Sequence, residues 1–178
     1  DSTAAQQAFI GNTTLDTKFE KSVSDGTTTK NGVVRIQFND YPWPDIKIGA
    51  PMLTKEQSTQ YVGENNYVVI SAYFTAKNMS GLKLTYRHFT ETNAADYTVD
   101  IRTGWNNYSI PVSYFDYDQI AAGRDFFFVA RNDGALTDVV MYLDAIYFEN
   151  RDYLLTDTKA VFFDFNDPNN LSGFGTAG

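Results

Sequence analysis

Six side chains stand out as suited to chemistry: Tyr41, Trp43, Arg87, Arg102, Trp105 and Arg131. Flat aromatic rings can lie against C–H surfaces, and guanidinium groups offer paired hydrogen-bond donors. That combination suits recognition of a hydroxyl-rich ligand better than bond-breaking. The usual catalytic constellations are not written in the chain. The single histidine, His88, has no cysteine partner, and no Gly-x-Ser-x-Gly elbow is present. One histidine cannot form a His-x-x-x-His metal pair, and there is no phosphate-binding Gly-x-x-x-x-Gly-Lys loop. A carboxylate pair of the glycosidase kind stays open on sequence alone, because any two of 22 acids can meet in space. The expectation is a non-enzyme.

Each candidate has a plainer reading. Trp43 and Trp105 fit core or rim packing at the corners of a sheet. The arginines fit a solvated face paired with Asp96, Asp100 or Asp125. His88 reads as a surface residue. The sequons at Asn12, Asn78, Asn107 and Asn170 read as incidental in a chain rich in Asn and Thr.

The elements that must position these residues are strands. Val34, Ile36 and Phe38 alternate with Arg35 and Gln37. Leu82, Leu84 and Tyr86 alternate with Lys83, Thr85 and Arg87, and Tyr97, Val99 and Ile101 with Thr98, Asp100 and Arg102. This period of two is the signature of half-buried strands. Residues 66–76 form a longer apolar run that suits a central strand, with a buried helix as the other option that periodicity alone leaves open. Tyr41-Pro42-Trp43-Pro44 breaks the ladder, since proline cannot donate to it. Roughly nine short strands separated by Gly, Asn and Asp turns predict an all-β, jelly-roll β-sandwich of two antiparallel sheets. The only helical candidates are short, around 54–61 and 117–122.

The chain has 178 residues, of which 43% are hydrophobic and 16% aromatic, which excludes a disordered chain. It has no cysteine, so neither a disulfide framework nor a zinc–thiolate site is available. Its net charge of -8 argues against nucleic acid and against strongly polyanionic polymers. No apolar run approaches the roughly 18 residues of a membrane span, so no membrane insertion is expected. Residues 1–16 are small and polar, without the pattern of a signal peptide, and read as a flexible segment. Residues 17–150 read as one domain. Residues 151–178 read as a linker and the start of a truncated second module, with an added edge strand of the first domain as the other option.

Three stretches resemble a known family. These are the strand–corner–strand from Gly32 to Ile48, the segment Gly104-Trp105-Asn106-Asn107-Tyr108-Ser109-Ile110-Pro111-Val112-Ser113-Tyr114-Phe115, and the closing strand Val140-Met141-Tyr142-Leu143-Asp144-Ala145-Ile146-Tyr147-Phe148. In that order they resemble galactose-binding-like β-sandwiches of the carbohydrate-binding module type, over about residues 17–150. The closing strand departs from the family pattern at Ala145, where a second aspartate is usual. The alternation of this strand assigns Val139, Met141, Leu143 and Ala145 to the core.

The resemblance implies a non-catalytic module binding a neutral or mildly charged polysaccharide. It would be secreted or held at a cell surface, tethered to other domains of a larger bacterial protein. It also implies a structural Ca²⁺ held by Glu20, Asp25 and Asp144, which occupy matching positions and supply the oxygen ligands this ion takes. Against this stands a reading in which Asp144 caps a loop amide and Glu20 is solvated. The alternative function is a structural or adhesion spacer with no ligand of its own. A β-sandwich lyase is a third and weaker reading.

Overall fold

The computed structural model describes residues 16–38, 45–46, 66–89, 94–115, 125–132, 135–151 and 160–164. Ten strands run through them: β1 (Asp16–Ser24), β2 (Thr29–Gln37), β3 (Asp45–Ile46), β4 (Asn66–Thr75), β5 (Lys83–Phe89), β6 (Ala94–Asp100), β7 (Trp105–Pro111), β8 (Asp125–Ala130), β9 (Val140–Asn150) and β10 (Ala160–Asp164). One turn of 3-10 helix, Val112–Tyr114, follows β7. The larger sheet has the order β1-β2-β9-β4-β7, with β10 also paired to β9, and the smaller has the order β3-β8-β5-β6. Every pairing is antiparallel. Strands β2 to β9 thus place 2-9-4-7 over 3-8-5-6, the jelly-roll arrangement of two antiparallel sheets. The helical candidates and the corner at residues 41–44, with Tyr41 and Trp43, lie outside the described residues.

Strand alternation builds the core. Val34, Ile36 and Phe38 of β2 face inward, as do Val68, Ile70, Ala72 and Phe74 of β4. Leu84 and Tyr86 of β5 meet them from the smaller sheet, with Phe127 and Val129 of β8. Tyr86 is fully buried and stacks on Phe115 at 4.2 Å, with Phe127 tilted against it at 5.1 Å. His88 continues this inward parity at the end of β5; it is half-buried, with its ring 6.2 Å from that of Tyr86.

One strand breaks the alternation. Ser71 pairs with Ala145, but the next residue, Ala72, pairs with Leu143. Asp144 is the extra residue of a β-bulge, which shifts the parity of everything after it. The inward set of β9 is therefore Met141, Leu143, Ile146 and Phe148. This corrects the assignment of Ala145 to the core: Ala145 is half-buried, and Ile146 takes its place.

The bulge neighbours a second departure from regularity. The β1–β2 hairpin pairs with β9 only from Val34 to Gln37. Beyond Val33 the chain passes Gly32, whose φ of 64° suits glycine. The hairpin tip then crosses the outer face of the larger sheet. Lys30 Nζ lies 3.1 Å from Asp144 Oδ2, and Asp25 reaches the first residue of β7. Val33 and Val69, both outside the core cluster, are fully buried. The edge of β9 that the hairpin leaves is taken by β10, which pairs Ala160 with Phe148 and Asp164 with Ala145. The strand read from the sequence as the opening of a second module therefore lies in this sheet.

Candidate functional site

Reading across the larger sheet in register, Trp105 pairs with Tyr73, Tyr73 with Tyr142, Tyr142 with Arg35, and Arg35 with Lys18. Side chains in one cross-strand row share a face, so these five line the outer side. Tyr73 lies 5.6 Å from Trp105 at 46°, and 5.6 Å from Tyr142 at 20°. All three residues are half-buried. The row is an aromatic band running across the strands, with the guanidinium of Arg35 at one end hydrogen-bonded to Gln37 Oε1 at 2.8 Å.

The neighbouring rows are polar or aromatic. Asn107 is exposed beside Ser71. The Ser71 hydroxyl donates to Asp144 at 3.0 Å. Farther along, the Arg151 guanidinium sits 4.0 Å over the Tyr67 ring, pairs with Glu149 at 2.9 Å and donates to Ser109. Tyr147 lies between these groups, and burial raises the pKa of its phenol.

The start of the band is fixed by the hairpin tip. Asp25 Oδ1 accepts the backbone N–H groups of Thr27 and Thr28 at 2.8 and 2.7 Å, closing its own turn. Asp25 Oδ2 accepts the N–H of Trp105 at 2.7 Å. Donation from Thr28, Trp105 and Thr27 lowers the carboxyl pKa below its ordinary value. Asn106 completes the turn before β7 by donating to Thr103 O and Gly104 O, both at 2.9 Å. Tyr108 Oη accepts from Arg102 N at 3.3 Å.

The residues singled out from the sequence separate in space. Trp105 belongs to the outer face of the larger sheet. Arg87 lies in the smaller sheet, 5.0 Å over the Phe128 ring, and donates to both oxygens of Asp96 at 2.6 Å. Arg131 is almost fully buried; it donates to both oxygens of Asp138, at 2.7 and 3.3 Å, and to Asn78 O. Arg102 is exposed in the loop that leads into β7. The single platform expected from Arg87, Arg102, Arg131 and Trp105 is therefore not assembled, because these residues belong to different sheets and loops. Tyr73 and Tyr142 were missing from that set. Their parity, opposite to Phe74 and Leu143, was the available signal.

Two of the three expected calcium ligands, Asp25 and Asp144, are engaged by the protein's own donors. Asp25 holds three backbone N–H groups, and Asp144 holds an ammonium and a hydroxyl. Glu20 is half-buried on β1, paired in register with Val33. Among the described residues, no three carboxylates or imidazoles gather as a metal cage. Lys30 supplies the cation at Asp144. Among the described residues, no helix is long and apolar enough to cross a membrane.

The geometry defines an all-β sandwich with an aromatic band on one outer face. Compared with protein-family models, curated proteins and solved structures, the chain matches none.

Proposed function

We propose that this chain is a non-catalytic carbohydrate-binding β-sandwich that takes a polysaccharide on the outer face of its larger sheet. The observation that carries this reading is the band of Trp105, Tyr73 and Tyr142, half-buried on the outer face. Aromatic rings interleaved with amide, hydroxyl and guanidinium groups suit sugar rings, whose surfaces alternate C–H faces with hydroxyl edges. The resemblance to carbohydrate-binding modules supports the same class, and with it a secreted or surface setting beside other domains.

A second reading has its own support. The near-parallel stack of Tyr73 on Tyr142 also serves sheet stability, and Arg87 and Arg131 sit in ion pairs. That favours a structural or adhesion spacer.

Affinity electrophoresis against plant, algal and microbial polysaccharides separates the two. Retardation by one polymer class, lost in Tyr73→Ala and Tyr142→Ala variants that stay folded, supports the binding module. A folded chain that no polymer retards supports the spacer. The same gels run with calcium and with chelator test the calcium expectation at Glu20, Asp25 and Asp144.

A further inference from the structure

Asp25 divides its carboxylate between two tasks. Oδ1 closes the hairpin turn through Thr27 and Thr28, and Oδ2 reaches a residue 80 positions away, the backbone N–H of Trp105. The fit is close on both sides. Gly104 has a φ of 77°, and a Cβ placed there would lie 2.9 Å from Asp25 Oδ2. Residue 104 must therefore be glycine for two independent reasons, conformation and room. A second contact holds the same tip: Lys30 bonds Asp144, which also accepts from Ser71.

We propose that Asp25 is a positioning residue of the aromatic face. Its Oδ2 sets where β7 begins, and so places the indole of Trp105 beside Tyr73. The role rests on the glycan-binding reading above, and it assigns to Asp25 a task other than metal binding. The two oxygens make it separable from simple turn stability. In Asp25→Asn the amide oxygen still accepts from Thr27 and Thr28, while the amide NH₂ faces the Trp105 N–H, donor against donor. Gly104→Ala attacks the same contact from the other side.

The test uses the full chain labelled with ¹⁵N-tryptophan, which has only two tryptophan backbone amides. Hydrogen exchange of the Trp105 amide and retardation by the best polymer of the panel are read together. Asp25→Asn and Gly104→Ala are expected to speed exchange at Trp105 at least about tenfold, the scale of a charge-assisted hydrogen bond. Both are expected to weaken retardation while the rest of the chain stays folded. Asp25→Ala should add a loss of melting temperature, because it opens the turn as well. Unchanged exchange at Trp105 overturns the proposal. So does faster exchange with unchanged retardation, which would leave Asp25 a purely structural residue. If no polymer retards the unmodified chain, the glycan-binding reading fails first and takes the positioning role with it. The exchange data then still report whether the contact exists.

Discussion

Asp138 accepts two bonds from the Arg131 guanidinium and one from the Lys77 N–H, which together hold its carboxyl at about 2. Asp25 is shifted in the same direction by its three backbone donors. A carboxyl with a depressed folded-state pKa binds its proton more weakly when folded than when unfolded. Its contribution to stability is complete above the ordinary carboxylate range and is lost as pH falls through the folded value. The melting temperature is therefore expected to fall steeply between about pH 4 and pH 2. In Asp138→Asn the fall should be shallower, starting from a lower plateau at pH 7. Thermal scans at half-unit intervals check it; an identical slope in the variant would remove Asp138 from the account.

Trp105 supports a sharper expectation. Its indole Nε1 is buried with no acceptor among the described residues, so the ring contributes through packing and not through its N–H. Trp105→Phe should keep most of the stability. Trp105→Ala should lose the roughly 0.5–1.5 kcal/mol of its pair with Tyr73 together with part of its burial. Urea midpoints of the two variants decide this, and equal losses would mean that the indole N–H has a partner.

At the scale of elements, the bulge at Asp144 is the feature on which the larger sheet turns. Deleting Ala145 would remove the extra residue and leave β9 strictly alternating, with Met141, Leu143, Ile146 and Phe148 all still facing the core and Asp144 opposite Ser71. That variant is expected to fold with its core intact, losing only the bulge and the contacts it gives Asp144, and Ala145→Gly should melt within about 1 kcal/mol of the parent. Circular dichroism and solubility distinguish the outcomes. A deletion variant that does not fold would show that the sheet needs the bulge itself and not only the inward set of β9.

The same feature marks where the sequence is legible and where it is not. The alternations Val34/Ile36/Phe38 and Leu84/Tyr86 gave correct faces because nothing interrupts their period. In Leu143-Asp144-Ala145-Ile146 the two inward residues are three apart, a spacing that alternation alone turns the wrong way. The band of Trp105, Tyr73 and Tyr142 escaped for a related reason. Each residue sits on the outward parity of its own strand, but only the register of β7, β4 and β9 brings them into one row. Cross-strand register depends on pairings between distant residues, such as Tyr73 with Tyr142, 69 positions apart, which local pattern does not encode. The arginines were placed together for the opposite reason: their outward parity was legible, but the division of strands between two sheets was not.

For the molecule as a whole, the question is which strands the sandwich needs. Among the residues whose side chains the structure describes, the buried core cluster lies between Val34 and Phe148. β10 contributes backbone pairing to the β9 edge between Ala145 and Phe148, the stretch that the hairpin vacates when its tip crosses to Trp105. A chain ending at Arg151 should therefore keep its core and unfold in one cooperative step, at a lower midpoint than the full chain. It should also expose an unpaired strand edge, which templates association between copies. Urea unfolding and light scattering across a concentration series read both effects. A truncated chain that unfolds without cooperativity would make β10 an obligate part of the fold. One that is as stable as the full chain and stays monomeric would show that the hairpin swings back to close the edge. Its tip would then leave the aromatic face, and Trp105 would lose the protection that Asp25 provides.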